Sequence, residues 1–116
     1  MSKVTLYHNP RCSKSRQTLA LLQERGIEPR VILYLETPPD AATLRQLVRQ
    51  LGLARAHDLV RHKEPEYAEA GLTAQSHDAD VIAAMVRFPK LIERPLVVAG
   101  KRAVIGRPPE NVLQLL

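Results

Sequence analysis

The chain has one cysteine, Cys12, and it lies where a short apolar strand gives way to a helix. Asn9-Pro10 is a turn signal that ends the strand, and the helical pattern begins at Ser13. One cysteine cannot form an internal disulfide, so this thiol is either a free reactive group or a small buried hydrophobe. With Ser15 three residues later, the motif is a monothiol Cys-x-x-Ser, and any disulfide must form with an external thiol.

The position of Cys12 favours the charged form of the thiol. A helix N-terminus stabilises an anion through its unpaired N–H groups and the positive end of the helix dipole. Arg11, Lys14 and Arg16 add positive charge nearby, and in such settings a thiol pKa falls from roughly 8.5 to between about 3.5 and 7.5. His8 either tunes the thiolate or simply ends the strand. We therefore predict a reactive thiolate supported by these neighbours, with an inert packed cysteine as the alternative.

Hydrophobic periodicity predicts the elements that position this loop. Their order, β-α-β-α-(α)-β-β-α, is typical of an α/β domain built around a mixed sheet. The apolar run at 31–35 predicts a central parallel strand, Asp40 predicts the N-cap of a helix, and residues 53–77 predict only short helices. The other predicted elements are a strand at 4–7, helices at 13–25 and from Asp78 to Pro89, a hairpin of 96–99 and 102–105 around Gly100-Lys101, and a short closing helix at 112–116.

Composition restricts the class of protein. A chain of 116 residues, 45% hydrophobic and 25% charged, is expected to form one globular domain, 1–116. Its net charge of +5 favours anionic partners, and because aromatics are few at 3%, small anions fit better than nucleic acid. Without a long apolar run or a secretory signal, we expect no membrane association and a cytoplasmic location. The histidines and the cysteine show no metal-ligand spacing, so no metal is expected.

Four motifs follow one another along nearly the whole chain. They are HNPRCSKSR at 8–16, LYLETPP at 33–39, ERPLVV at 93–98 and GRPPE at 106–110. In order and spacing they resemble the glutaredoxin-coupled arsenate reductases (ArsC-like), and among these the short YfgD-type subgroup without the longer C-terminal tail of other members.

The resemblance implies a thioredoxin-like (glutaredoxin-like) α/β fold, with a mixed four-stranded sheet and a helical insertion at about 40–88. It also implies that the Cys12 thiolate attacks arsenate, that glutathione resolves the adduct as co-substrate, and that glutaredoxin removes glutathione from the enzyme, giving arsenite. No bound cofactor is implied, and we expect a monomer. The site residues that the resemblance implies are Arg61, Arg94 and Arg107 for the oxyanion, His8 and Ser15 for holding the thiolate, and Pro95 as a cis-proline.

Elementary chemistry is consistent with an oxyanion site, but other interpretations remain open. Planar guanidinium groups bind tetrahedral oxyanions through paired, charge-assisted hydrogen bonds, and three of them would offset a dianion and a thiolate. Arg61, however, lies in the basic triplet 61–63, which could instead be a solvated helix face. A glutathione-dependent thiol transferase or deglutathionylase would also need only Cys-x-x-Ser. A Spx-like regulator that binds RNA polymerase is less favoured, because Ser15 replaces the second cysteine of its redox switch.

Overall fold

A computed structural model describes residues 3–116, which divide into two compact units. The sheet unit comprises residues 3–37 and Arg94–Leu116, and the helical unit comprises Pro38–Glu93. The helical unit includes the segment at about 40–88 that the sequence marks as an insertion. Within the described residues, no helix has the length and apolar character needed to cross a bilayer.

The sheet unit contains four strands in the order β2-β1-β3-β4. Strand β1 pairs in parallel with β2 and antiparallel with β3, and β3 pairs antiparallel with β4, so the sheet is mixed. Helix α1 provides the crossover that a parallel β1–β2 pair requires. The thioredoxin-like α/β fold is confirmed. The elements of this unit are β1 (Val4–His8), α1 (Ser13–Glu24), β2 (Arg30–Leu33), β3 (Leu96–Ala99), β4 (Arg102–Ile105) and a 3-10 helix at Pro109–Leu115.

The core of the sheet unit forms where α1 and the closing 3-10 helix cover the sheet. Leu6 of β1 and Val97 of β3 are register partners, and both are fully buried. Leu22 of α1 and Val112 of the 3-10 helix join them in one apolar cluster. Because burying such a side chain contributes about 1.5–3 kcal/mol, this cluster fixes α1, and with it the start of the helix, against β1.

Strand β2 corrects one sequence prediction. It is parallel to β1 as expected, but it lies at an edge of the sheet, so the prediction of a central strand was wrong. The apolar run at 31–35 indicated burial on both faces, yet Val31 is 42% exposed. The strand ends at Leu33, whose carbonyl accepts hydrogen bonds from the N–H groups of Glu36 and Thr37. The buried Tyr34 therefore belongs to a turn, so its burial does not indicate a central strand.

The helical unit follows the sequence predictions closely. Asp40 caps α2 as predicted, since its Oδ1 accepts a hydrogen bond from the N–H of Thr43 at 2.8 Å. The weakly periodic stretch at 53–77 contains only short helices, as predicted. The elements of this unit are α2 (Ala41–Gln50), a 3-10 helix at Ala56–Leu59, α3 (Pro65–Glu69), α4 (Asp78–Arg87) and a 3-10 helix at Pro89–Leu91.

Candidate active site

The backbone of the loop after β1 presents Cys12 at the first turn of α1. The N–H of Cys12 donates to the carbonyl of Asn9 at 3.0 Å, and the N–H of Arg11 donates to Asn9 Oδ1 at 3.0 Å. Cys12 itself is the N-cap residue of α1, with an extended backbone. An N-cap side chain lies beside the N–H groups that a helix leaves unpaired. The loop therefore holds the sulfur where a negative charge is stabilised.

The surroundings of Cys12 lower the pKa of its thiol. Burial of the sulfur raises the pKa, but it is outweighed by hydrogen bonding from the N–H of Ser15, the positive charge of Arg94, and further hydrogen bonds from the N–H of Lys14 and from the Arg94 side chain. The thiolate is the reactive form of cysteine. The structure thus supports the reactive thiolate that the sequence predicts, although Cys12 is only 9% exposed.

Two arginines from distant parts of the chain meet at the sulfur. Arg107 Nη1 lies 3.8 Å from Cys12 Sγ and also donates to the carbonyl of Arg94 at 3.3 Å. The Nε atom of Arg94 is buried and has no hydrogen-bond partner in the part of the chain that the structure describes. A buried donor without a partner is unfavourable by about 1–3 kcal/mol, so this N–H is a candidate ligand contact. The two guanidinium groups and the thiolate form a site suited to an oxyanion.

His8, at the end of β1, and Ser15, in the first turn of α1, form a buried pair. The Nδ1 atom of His8 and the Oγ atom of Ser15 are 2.6 Å apart, and Ser15 Oγ also accepts a hydrogen bond from the N–H of Asn9 at 3.0 Å. Burial lowers the pKa of His8, and the charge of Arg16 lowers it further. Both effects favour the neutral form of His8, and the pair fixes Ser15, whose N–H helps to lower the pKa of Cys12.

One of the charged side chains close to Cys12 in the sequence, that of Arg16, makes a specific contact in the structure. Arg16 Nη1 donates to the carbonyl of Pro10 at 2.9 Å and so closes the loop. The side chains of Arg11, Lys14 and Arg16 are not among the groups that lower the pKa of Cys12, and the cationic contribution comes from Arg94. The prediction that Arg16 supports the thiolate stays a prediction, while its guanidinium holds the loop and its charge acts on His8.

Gly106 is a positioning residue that the sequence reasoning missed. Its N–H donates to the carbonyl of Pro95 at 2.9 Å. A Cβ atom at this position would lie 2.7 Å from Thr18 Oγ1 and 2.8 Å from Pro95 Cγ, closer than side chains tolerate. The missing side chain therefore lets the residue before Arg107 pack directly against α1 and against the residue after Arg94. The signal available in the sequence was a glycine between a strand and Arg107.

Two peptide bonds next to the site arginines are cis. The Arg94–Pro95 peptide has the isomer that the resemblance implies, and the Arg107–Pro108 peptide is cis as well.

Asn111 is a second residue that the sequence analysis did not identify. Its Nδ2 donates to the carbonyls of Arg107 and Ile105, at 3.1 and 3.3 Å. Asn111 thus ties the segment that carries Arg107 to the end of β4.

Arg61 lies in the helical unit, between two carboxylates. Its Nη2 is 3.4 Å from Glu64 Oε1 and its Nε is 3.9 Å from Glu93 Oε1. The backbone is held as well, because the N–H of Arg61 donates to the carbonyl of Leu91 at 2.7 Å. The side chain is 24% exposed, so the simple interpretation as a free, solvated helix face does not apply. Its role toward an oxyanion stays a prediction.

The site residues offer anion-binding groups and one nucleophile. Within residues 3–116, no group of three or more His, Cys, Asp or Glu side chains is arranged to hold a metal ion. The chemistry that the geometry supports is attack by the Cys12 sulfur on an electrophile whose negative oxygens are bound by guanidinium groups.

Comparison with known proteins identifies the family. A model of the ArsC family matches residues 7–115. The chain is 57% identical over 115 residues to the uncharacterized protein YfgD of Escherichia coli strain K12, covering 98% of this chain and 97% of that protein. It is 45% identical over 117 residues to an arsenate reductase of Neisseria meningitidis, covering 100% of each. It is similar to the solved structure of an arsenate reductase from Vibrio cholerae, with a TM-score of 0.95, 52% identity, and coverage of 99% of this chain and 98% of that one. The family model that matches residues 7–115, and the similarity to an arsenate reductase along the whole chain, make this protein a member of the ArsC family.

Proposed function

We propose that the protein reduces arsenate to arsenite, with Cys12 as the nucleophile. The observation that carries the proposal is the meeting of three groups: a stabilised thiolate, the Arg107 guanidinium 3.8 Å away, and the buried, unpartnered Nε of Arg94. An inert cysteine needs no such arrangement. The relatives named arsenate reductase supply the identity of the oxyanion.

The arginines have two tasks in this reaction. Arsenate carries negative charge at neutral pH, so it reaches a thiolate only if cationic groups offset the repulsion. Arg94 and Arg107 provide this charge, and their planar N–H groups match the tetrahedral oxygens. As sulfur bonds to arsenic, one hydroxyl of arsenate takes up a proton from the solvent and leaves as water, and the same groups stabilise the charge on the remaining oxygens. Loss of one such donor typically costs about 2.7–4 kcal/mol of transition-state stabilisation.

The electrons come from outside the chain. The glutathione thiol attacks the cysteine sulfur of the arsenic adduct, so a sulfur–sulfur bond forms and the sulfur–arsenic bond breaks. The electron pair of that bond reduces As(V) to As(III), which leaves as arsenite. Glutaredoxin then attacks the glutathione sulfur of the mixed disulfide and releases the Cys12 thiolate. Because Cys12 is the only cysteine, the cycle needs this external thiol.

A coupled assay tests the proposal. The purified protein is mixed with arsenate, glutathione, glutaredoxin, glutathione reductase and NADPH, and arsenate-dependent NADPH oxidation is followed. We expect turnover for the wild type and none for Cys12→Ser, while the exposed neighbour Ser13→Ala remains active. Arsenite is quantified in parallel, so that NADPH loss is assigned to arsenate reduction.

The same assay separates the alternative functions. A thiol transferase would show no arsenate-dependent NADPH oxidation but would turn over a glutathione mixed disulfide. A regulator resembling Spx would show neither activity and would bind RNA polymerase in a pull-down experiment. Either result would overturn the proposed arsenate reduction.

A further inference from the structure

Charge is distributed unevenly between the two units. The sheet unit carries ten Lys and Arg against four Asp and Glu, a formal net charge of +6, whereas the helical unit has seven against eight, a net charge of −1. No Asp or Glu occurs in the stretches 3–23 and 94–109, which contain the cysteine loop and both site arginines. The segments that carry Cys12 and the two site arginines therefore contain cations and no carboxylates.

Two of these cations have no task inside the site. The side chains of Arg11 and Lys14, which we call the loop cations, flank Cys12 in the sequence at one and two residues. Arg11 is exposed and Lys14 is half-buried. Neither forms an ion pair with any carboxylate of residues 3–116. Two positive charges beside a reactive sulfur are thus available to a partner.

The chemistry at Cys12 requires a partner to reach this surface. After arsenite leaves, the sulfur is joined to glutathione, and only a second thiol can release it. The attacking thiolate bonds to the glutathione sulfur, the bond to Cys12 breaks, and its electron pair leaves on Cys12 as thiolate. The loop cations lie one residue before and two residues after Cys12, in the segment that such a reductant must contact.

We propose that the loop cations Arg11 and Lys14 form the docking surface for a protein thiol reductant that carries acidic side chains on the rim of the face around its reactive cysteine. The inference rests on the proposed function, because it names the surface on which glutaredoxin closes that cycle. Complementary charge raises the rate of encounter and fixes the orientation of partners, and the effect weakens as salt screens it.

The charge distribution favours a protein partner over glutathione itself. Glutathione has two carboxylates and one ammonium group, so the field of a unit with a net charge of +6 accelerates its approach only slightly. A protein that presents several carboxylates around its cysteine interacts with many of these cations at once. Arg94 and Arg107 meanwhile remain at the sulfur, where the proposed mechanism needs them.

The test isolates the final step. The protein is prepared as the Cys12–glutathione mixed disulfide and mixed with a glutaredoxin that has an acidic active-site face, and release of glutathione is measured as ionic strength increases. The variant is Arg11→Ser with Lys14→Ser. The matched control, Arg25→Ser with Lys101→Ser, removes the same charge from exposed positions of the same unit away from the cysteine loop.

We expect the loop variant to lose about five- to tenfold in second-order rate constant at low salt, and to approach the wild type at high salt. The control should lose less than about twofold. Reduction by dithiothreitol, a small neutral thiol, should be equal in all three proteins, which shows that the site is intact. Equal losses in the loop variant and the control, or an equal loss with glutathione as the reductant, would overturn the proposal.

The design separates this inference from the proposed function. If wild-type protein fails to reduce arsenate but glutaredoxin deglutathionylates it with the expected dependence on Arg11 and Lys14, arsenate reduction is wrong and the docking surface stands. If arsenate reduction is normal in the loop variant at low glutaredoxin concentration, the docking surface is wrong and the proposed function stands.

Discussion

The arginines of the two units differ in their partners. Arg61, in the helical unit, is paired with Glu64 and Glu93. Arg94 and Arg107, in the sheet unit, have no carboxylate partner within the described residues, and all three ion pairs found there belong to the helical unit. A paired guanidinium is satisfied without a ligand, whereas an unpaired one beside a thiolate retains charge for a substrate. The partner, and not the residue type, therefore distinguishes a guanidinium that is already paired from one that retains its charge for a ligand.

The largest effect in this comparison is expected for Arg94→Gln. The change removes the cation that helps to lower the pKa of Cys12 and the buried Nε that has no partner. We expect kcat/KM for arsenate to fall about 100-fold. The pH dependence of Cys12 alkylation by iodoacetamide should move to higher pH, because the thiolate loses a stabilising charge.

Arg45→Gln provides the matched control for Arg94→Gln. Arg45 is exposed on α2 and forms no ion pair in residues 3–116, so this variant should match the wild type in both measurements. An unchanged rate and an unchanged alkylation profile for Arg94→Gln would remove the distinction between paired and unpaired arginines.

The next effect is expected for Gly106→Ala, which tests how the sheet unit holds its arginines. The added methyl group would collide with Thr18 Oγ1 and Pro95 Cγ. Overpacking of this kind costs about 1–3 kcal/mol, so the free energy of unfolding in urea should fall by that amount. In the double variant with Thr18→Ala, one of the two collisions is removed, and a double-mutant cycle should show favourable coupling. Additive losses would mean that the backbone moves aside.

A smaller effect on stability is expected for Arg61→Gln. Partly exposed ion pairs contribute about 0.2–1 kcal/mol, so the free energy of unfolding should change by less than about 1 kcal/mol. We predict from the family resemblance that KM for arsenate rises several-fold. The alkylation profile of Cys12 should stay that of the wild type, since Arg61 is not among the groups that lower its pKa. A shifted alkylation profile would contradict the contrast drawn between the units.

The smallest effect is expected on the pH dependence of the free energy of unfolding. Burial lowers the pKa of His8, so between that pKa and about 6.5 the unfolded chain binds a proton that the folded chain excludes. The contribution of neutral His8 to the free energy of unfolding is therefore fully present above about pH 6.5, and it decreases as the pH falls through this window. In urea unfolding measured from pH 7.5 to 5, the free energy of unfolding of His8→Asn should decrease less than that of the wild type. The same change at His77, an exposed histidine of the helical unit, should leave the decrease as steep as in the wild type.

Local features of the site were predictable because local sequence encodes them. The turn at Asn9-Pro10 and the periodicity after Ser13 place Cys12 at a helix start, and the structure has it as the N-cap of α1. The cap at Asp40 is equally local. Such features depend on residues within one turn of each other, and pattern reasoning captures them.

Long-range features were not predictable from local pattern. The cation that acts on Cys12 is Arg94, and Arg107 lies 95 residues from the cysteine, so only family resemblance pointed to either. Arg11 and Arg16 were predicted to support the thiolate because they lie close to Cys12 in the sequence. The close approach at Gly106 and the edge position of β2 both depend on how separate segments pack, which the composition of one segment does not encode.

Ser15 has a consequence for the supply of reducing power. It occupies the place where a dithiol enzyme would have its second cysteine, and it is fully buried, with its hydroxyl shared between His8 and Asn9. Sulfur is larger than oxygen and a weaker hydrogen-bonding atom, so a cysteine there would disturb the hydrogen bonds that hold the loop. The chain therefore cannot readily become self-sufficient in electrons by one substitution. In the proposed cycle, turnover depends on the concentration of reduced thiols around the protein, and an oxidised cell would stop it with Cys12 still joined to glutathione.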